Sequence, residues 1–323
     1  MKFATIGTSW ITDSFIKSSA YIPAAEIAAV YSRSIDKAEK FAREENVPLY
    51  YDSLEEMLKN KDIDAVYIAS PNVAHFAQAK MCLEYGKHVI CEKPAVVTTQ
   101  QLKELYELAE SKGLIFLEAM KSMHSDGLEI IRNEIENLGD IRTASIDFSQ
   151  LSSKYPAYKR GENPNIFNPE LCTGALMDLG VYCVYFVLEL FGKPDSVIPH
   201  SDFLDTGADY AGTLIFVYGN KTVTVTYSKV ANGFLPSKIL GEEGAVTVKS
   251  VSKLVGVNRY LNDGSVKELY PVVDENLVMS KEIEAFIGFV NGENKDYYDY
   301  CRQMSLDVCE IMENIRKENN FGF

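Results

Sequence analysis

Short apolar runs alternate with helix-patterned stretches through the first third of the chain. Phe3–Ile6, Glu26–Tyr31, Leu49–Tyr51, Ala65–Ala69, His88–Cys91 and Leu114–Leu117 read as strands, most of them too apolar to own a solvated face. Strands covered on both faces are what a parallel sheet flanked by helices requires. Ser53-x-x-Glu56 and Thr98-x-x-Gln101 are capping boxes that mark helix starts, and Gly113 stands where a helix should stop. The alternation predicts a doubly wound α/β sheet that binds its ligand at the carboxyl ends of the strands.

Beyond about residue 120 the pattern changes. A helix at about Asp126–Asn137 leads to a strand, Ile141–Gln150, and then to a long polar loop containing Lys154-Tyr155-Pro156 and Pro164. A helix from Gly174 to Leu190 is ended by Gly192 and Pro194. Consecutive strands follow at Gly212–Tyr218, Lys221–Val230, Ser237–Leu240 and Gly244–Ser250, with a further pair around Asn262-Asp263-Gly264. Two amphipathic helices, about Glu275–Asn291 and Tyr300–Lys317, finish the chain. Strands joined in order by tight turns predict an open, mainly antiparallel sheet, hence an α+β second domain.

Composition narrows the function classes. With 32 Lys plus Arg against 46 Asp plus Glu in 323 residues, the net charge is −14. No basic cluster offsets that excess, which argues against nucleic acid or an anionic membrane as partner. No apolar run approaches the roughly 20 residues that span a bilayer, and the N-terminus enters a strand without a signal-peptide core. A cytoplasmic protein is expected. Six scattered cysteines without a Cys-x-x-Cys pair read as buried thiols, and four histidines without close spacing argue against a metal site.

The candidate chemistry lies at the expected strand ends. The first βα turn, Gly7-Thr8-Ser9-Trp10-Ile11-Thr12, keeps one glycine of a dinucleotide fingerprint and places Ser9 and Thr12 at the other two. These residues alone fit either a phosphate-binding turn or an ordinary strand-to-helix turn. The second strand ends in Ser32-Arg33-Ser34, with no acid before Asp36 and with Lys37 one turn on. An acid at this point would bind ribose hydroxyls; hydroxyls and a guanidinium suit a 2′-phosphate instead. Ser70-Pro71-Asn72 with His75, and Glu92-Lys93-Pro94, close the fourth and fifth strands. Lys93, at the mouth of a buried strand, is either a partly desolvated proton carrier or a snorkelling surface lysine. Asp178 and Tyr182, four apart on an apolar helix, are either a satisfied core pair or a catalytic pair.

Taken together, Ile6-Gly7-Thr8, Ser70-Pro71-Asn72-Val73-Ala74-His75, Glu92-Lys93-Pro94, Glu118-Ala119 and Gly174-Ala175-Leu176-Met177-Asp178-Leu179-Gly180-Val181-Tyr182 resemble the glucose–fructose oxidoreductase, inositol dehydrogenase and MocA family over nearly the whole chain. The resemblance implies a dinucleotide-binding Rossmann domain over 1–120 and a substrate-binding and oligomerisation domain over 121–323, the last helix packing back on the first. It implies Lys93, Asp178 and Tyr182 as catalytic residues. Tyr182 stands where many members have histidine, as in the branch containing dihydrodiol dehydrogenase, where a tyrosine is the proton donor. Gly7, Thr8, Ser9, Trp10, Ile11, Ser32, Arg33, Ser70, Pro71, Asn72, His75, Glu92 and Lys93 would bind the cofactor, NADP in preference to NAD. Where many relatives carry a bulky residue and then arginine after Glu118-Ala119-Met120, this chain has Lys121, Ser122, Met123 and His124.

The implied activity is hydride transfer between nicotinamide and a sugar, polyol, cyclic diol or related carbonyl compound. A dinucleotide-sensing regulator and a glycosidase using transient oxidation are the alternatives. Leu214, Phe216, Tyr218, Val223, Val225 and Tyr227 put large apolar groups on one sheet face, which is either domain core or a pairing surface. Relatives pair through this sheet, so a homodimer or homotetramer is expected.

Overall fold

The computed structural model describes residues 1–323. Its first compact unit begins with β1 (Lys2–Ile6), α1 (Trp10–Ser19), β2 (Glu26–Tyr31), α2 (Ile35–Glu44), β3 (Leu49–Tyr51) and α3 (Leu54–Lys59). It continues with β4 (Ala65–Ile68), α4 (Asn72–Glu84), β5 (His88–Glu92), α5 (Thr99–Ser111) and β6 (Phe116–Ala119). The six strands are parallel in the order β3-β2-β1-β4-β5-β6. Strand order therefore reverses between β1 and β4, and a doubly wound sheet opens its ligand crevice at that point. Every residue of β4 and β6 is buried, as a sheet covered on both faces demands. The two capping boxes form: Ser53 accepts from the Glu56 amide and Thr98 from that of Gln101.

The second unit holds α6 (Asp126–Ile135), β7 (Ile141–Ser149), the short α7 (Tyr155–Lys159), a π-helical turn (Leu176–Gly180) and α8 (Val181–Phe191). Seven strands follow: β8 (Ser196–Phe203), β9 (Asp209–Tyr218), β10 (Lys221–Ser228), β11 (Ser237–Gly241), β12 (Gly244–Ser250), β13 (Val255–Tyr260) and β14 (Val266–Tyr270). Their sheet runs β14-β13-β12-β11-β7-β10-β9-β8. It is mixed, because β7 inserts between β11 and β10 and runs parallel to β10. The sequence pattern missed β8, whose alternation is interrupted by Pro199 and His200; a proline is tolerated there because β8 is an edge strand.

The chain leaves the first unit at Lys121 and returns to it for Asp274–Leu306, while Asp307–Phe323 belongs to the second. The returning segment is α9 (Glu275–Val290) and the first half of α10 (Lys295–Glu318). Phe286 of α9 packs against Phe3 of β1 with centroids 5.8 Å apart, and Ser14 of α1 bonds Asn276 at 3.1 Å.

Two expectations are corrected. The stretch Pro169–Phe191 is in fact long and apolar enough to cross a bilayer, but 83% of its apolar window is buried inside the protein. It is apolar because α8 is a core helix. The apolar sheet face is likewise interior: Leu214, Phe216, Val223, Val225 and Tyr227 are fully buried, so this face is the unit's own core and is not available for pairing. All six cysteines are buried.

Candidate active site

At the end of β1 the chain turns through Gly7, whose φ of +113° suits glycine alone, and a Cβ there would lie 2.6 Å from the Ala69 carbonyl oxygen. The turn thus brings bare backbone to the point where strand order reverses. Ser9 caps α1 without using its side chain, and Trp10 in the first turn is 71% exposed. Behind them the buried Thr12 hydroxyl has no partner within the protein. A close-approaching backbone, two hydroxyls and the donor end of α1 fit a dinucleotide pyrophosphate.

At the end of β2, the Ser32 amide bonds the Tyr51 carbonyl at 3.1 Å, which fixes where the next residues project. Arg33 is exposed. Ser34 caps α2 without a side-chain bond, leaving its hydroxyl to a ligand, and Asp36 is exposed in the first turn of α2.

The ends of β4 and β5 are joined by His75. Its Nδ1 lies 3.1 Å from the Pro94 carbonyl and its Nε2 2.8 Å from the Ser70 carbonyl, and the ring is 1% exposed. Both ring nitrogens face backbone carbonyls, and as a neutral imidazole His75 donates to one of the two, linking the β4 and β5 ends. Burial lowers its pKa, against the pull of the two carbonyls. Pro71 caps α4, which opens at Asn72, while the Ser70 hydroxyl donates to Gln78 at 2.6 Å.

Lys93 follows directly on β5 and is half-buried. Glu118 of β6 fixes the loop beyond it, accepting the Ala95 amide at 2.8 Å and the Ser305 hydroxyl. Glu92, expected from its motif to contact the cofactor, is buried and accepts the Tyr67 hydroxyl at 2.6 Å. Burial raises its pKa, while Lys93, the Tyr67 bond and Lys121 pull it down. Nearby Lys121 pairs with Glu275, and the buried Glu282 of α9 has a pKa raised well above the usual range by burial and by Glu92. This acidic cluster was not legible in the sequence, because its members lie on β5, α9 and the end of the parallel-sheet segment.

In the second unit, Asp178 and Tyr182 flank the junction of the π-turn and α8. The expected regular helix is therefore widened here, a distortion that often accompanies functional sites. Tyr182 is 8% exposed, with its ring edge-on to Phe148 at 5.8 Å. Asp178 forms a salt bridge with Lys229, just beyond β10. Asp209, the first residue of β9, accepts the Leu176 amide at 2.6 Å and so holds the start of the π-turn. Sequence reasoning missed both partners. The one signal for Asp209 was Gly174, where a Cβ would come within 1.8 Å of the aspartate oxygen.

Comparison with known proteins follows the same division. Residues 1–120 match an oxidoreductase family with an NAD-binding Rossmann fold, and residues 132–247 match the GFO/IDH/MocA C-terminal domain. The chain is 35% identical over 318 residues to the scyllo-inositol 2-dehydrogenase (NADP(+)) IolU of Bacillus subtilis, covering 98% of this chain and 97% of that one. It is 32% identical over 257 residues to the trans-1,2-dihydrobenzene-1,2-diol dehydrogenase of Xenopus laevis, covering 77% and 75%. Among solved structures, KijD10, a 3-ketoreductase from Actinomadura kijaniata in complex with NADP and TDP-benzene, shares the fold with a TM-score of 0.85 at 20% identity, covering 98% and 97%.

Proposed function

The chain belongs to the GFO/IDH/MocA family of NAD-binding oxidoreductases, and from that premise we propose that it is an NADP(H)-dependent dehydrogenase or reductase of a sugar, polyol or cyclic diol. The observation that carries this reading is the π-turn, which sets a partly exposed carboxylate and a tyrosine phenol against an apolar background. Its relatives include enzymes named as a scyllo-inositol 2-dehydrogenase (NADP(+)) and a trans-1,2-dihydrobenzene-1,2-diol dehydrogenase.

When bound, the nicotinamide supplies the hydride acceptor or donor. Gly7, Thr8, Ser9, Trp10 and Ile11 cradle the pyrophosphate in this reading; Ser32 and Arg33 receive the 2′-phosphate, and Ser70, Pro71 and Asn72 border the cofactor from β4. Tyr182 exchanges the proton on the substrate oxygen. A phenol near its ordinary pKa of about 10 is a poor base at neutral pH, so the reaction needs a cation, a role that suits the motif lysine Lys93. Asp178, held by Lys229, accepts a substrate hydroxyl and orients the ring. His75 and Glu92 support the strand ends on which Ser70 and Lys93 lie.

A homodimer or homotetramer would use the opposite sheet face, where Ile198 is 57% exposed and pairs across the ladder with Ile215. Light scattering at micromolar concentration reads the assembly; a monomer overturns it. The function is tested by following reduced-nicotinamide absorbance across a panel of inositols, sugars and cyclic diols. Stoichiometric NADPH production or consumption on at least one member supports the reading. Cleavage of a glycoside with no net change in absorbance, or cofactor binding without turnover on any member, overturns it.

A further inference from the structure

The end of the β9–β10 ladder meets the π-turn at two points. Asp209, opening β9, accepts the backbone N–H of Leu176 through Oδ2, and the neighbouring Ala175 amide also favours its ionised form. Lys229, just past β10, closes a salt bridge on the side chain of Asp178. The lysine is itself tightly placed: its amide donates to the Tyr210 carbonyl at 2.8 Å and its carbonyl accepts the Ser152 amide at 2.8 Å. Its side chain is 8% exposed, whereas that of Asp178 is 35% exposed. A buried ammonium therefore grips the carboxylate of a side chain that is itself partly exposed.

Gly174 shows how closely this arrangement is fitted. Its φ is +142°, and any side chain there would drive into the Asp209 carboxylate. Gly180, at the other end of the π-turn, lies against the ring of Tyr227, where a Cβ would approach to 3.2 Å. The wide turn is thus seated on β9 and β10 at both ends.

We propose that Lys229 and Asp209 are positioning residues for the reaction, the first orienting the Asp178 carboxylate toward a substrate hydroxyl and the second fixing the backbone of the turn that carries Asp178 and Tyr182. This rests on the oxidoreductase reading above and deepens it. Lys229 cannot be replaced by an arbitrary cation, because its ammonium must fill a buried site beside Asp178. Asp209 acts through one acceptor oxygen toward the Leu176 amide, so an asparagine oxygen in the same place retains that contact. Besides Lys229, the titratable group facing Asp209 is the buried Tyr227 phenol, whose pKa burial and Asp209 both raise. A misplacement of about 1 Å in a reacting group can lower turnover on the order of a hundredfold.

The experiment compares Lys229→Met and Lys229→Arg, and Asp209→Ala and Asp209→Asn, in the full-length protein. Lys229→Met should lower kcat/KM for the best panel substrate by about ten- to a hundredfold and move the acid limb of the pH–rate profile upward, since a carboxylate beside no cation is harder to ionise. NADPH affinity should stay within about twofold. Lys229→Arg, which keeps the charge, should keep the acid limb near its original position. Asp209→Ala should raise hydrogen exchange over residues 174–182, and Asp209→Asn should recover much of the protection. Hydrogen exchange reads the positioning even if the wild-type protein turns over no panel member, so failure of the functional reading is told apart from failure of this one. Unchanged kinetics and pH profile in Lys229→Met of an active enzyme, or unchanged exchange in Asp209→Ala, overturns the proposal; if Asp209→Ala does not fold, the Lys229 pair decides it.

Discussion

Gly7 stands so close to Ala69 that a methyl group added to it would lie 2.6 Å from the Ala69 carbonyl oxygen. The contact ties the turn after β1 to the end of β4, and it leaves the Gly7 φ of +113° no tolerable replacement. Gly7→Ala should therefore displace the turn proposed to hold the pyrophosphate. The chain holds a single tryptophan, Trp10, exposed in the next turn. Titrating NADPH should quench Trp10 emission and transfer part of it to the reduced nicotinamide. In Gly7→Ala the NADPH dissociation constant should rise at least tenfold; unchanged quenching would place the cofactor elsewhere.

Tyr182→Phe removes the proposed proton carrier and little else, since the ring can still pack on Phe148. NADPH affinity by the Trp10 signal should be unaltered, while turnover falls by about 10²–10⁴-fold, the usual contribution of general acid–base catalysis. Lys93→Met should also lower turnover and weaken cofactor binding. Near-normal turnover in Tyr182→Phe would assign the proton transfer to another group.

In the proposed site, cofactor choice turns on Arg33. A charge-assisted hydrogen bond to the 2′-phosphate contributes roughly 1.5–3 kcal/mol, about ten- to a hundredfold in affinity. Calorimetry should show NADP(H) binding more tightly than NAD(H) by that margin, and Arg33→Ala should erase most of the difference with NAD(H) affinity nearly unchanged. Equal affinities in the unmodified protein would make Arg33 a solvated surface residue.

Asp209 predicts a pH dependence of stability. Burial pushes its carboxyl up to about 7 from an ordinary 3.8, opposed by the Leu176 and Ala175 amides and by Lys229. An acid whose pKa is higher in the folded state holds its proton longer there than in the unfolded chain. Its contribution is therefore most favourable below about pH 4, declines as pH rises toward 7, and is constant beyond. Three units correspond to about 4 kcal/mol. Asp209→Asn does not titrate, so its unfolding free energy relative to wild type should increase between pH 4 and 8 by up to about that amount. His75, His124, Glu92 and Glu282 also shift on folding but are common to both proteins and cancel in the difference. A flat difference in urea titrations across that range would show Asp209 to be ordinarily acidic.

The parallel sheet was legible because its signals are local: apolar runs of strand length, capping boxes at Ser53 and Thr98, a stop at Gly113. The second sheet was legible only in part. Hairpins such as that at Asn262-Asp263-Gly264 announce themselves, but the insertion of β7 between β10 and β11 depends on long-range pairing that no turn encodes. The amphipathic faces of α9 and α10 showed that both helices pack on something, without saying on which sheet. At the site, motif residues Lys93, Asp178 and Tyr182 stood out because polar groups interrupt apolar runs. Lys229 and Asp209 did not, since each is one polar residue at a strand end, where polar residues are ordinary. His75 shows the converse: a histidine near a crevice suggests a ligand contact, whereas its two carbonyl neighbours, on Ser70 and Pro94, could not be read from the sequence.

The return of α9 to the first sheet limits how the gene can be cut. A fragment ending at residue 120 would contain every strand of the parallel sheet and the whole turn after β1. It would also bare the side of Phe3 that Phe286 covers and leave Ser14 without Asn276. Such a piece would present a greasy patch to solvent and self-associate on expression. A transplantable version would need residues 274–306 joined to the end of β6 through a designed linker. The modularity apparent in a linear domain diagram is thus interrupted by a helix encoded more than 150 residues downstream of β6.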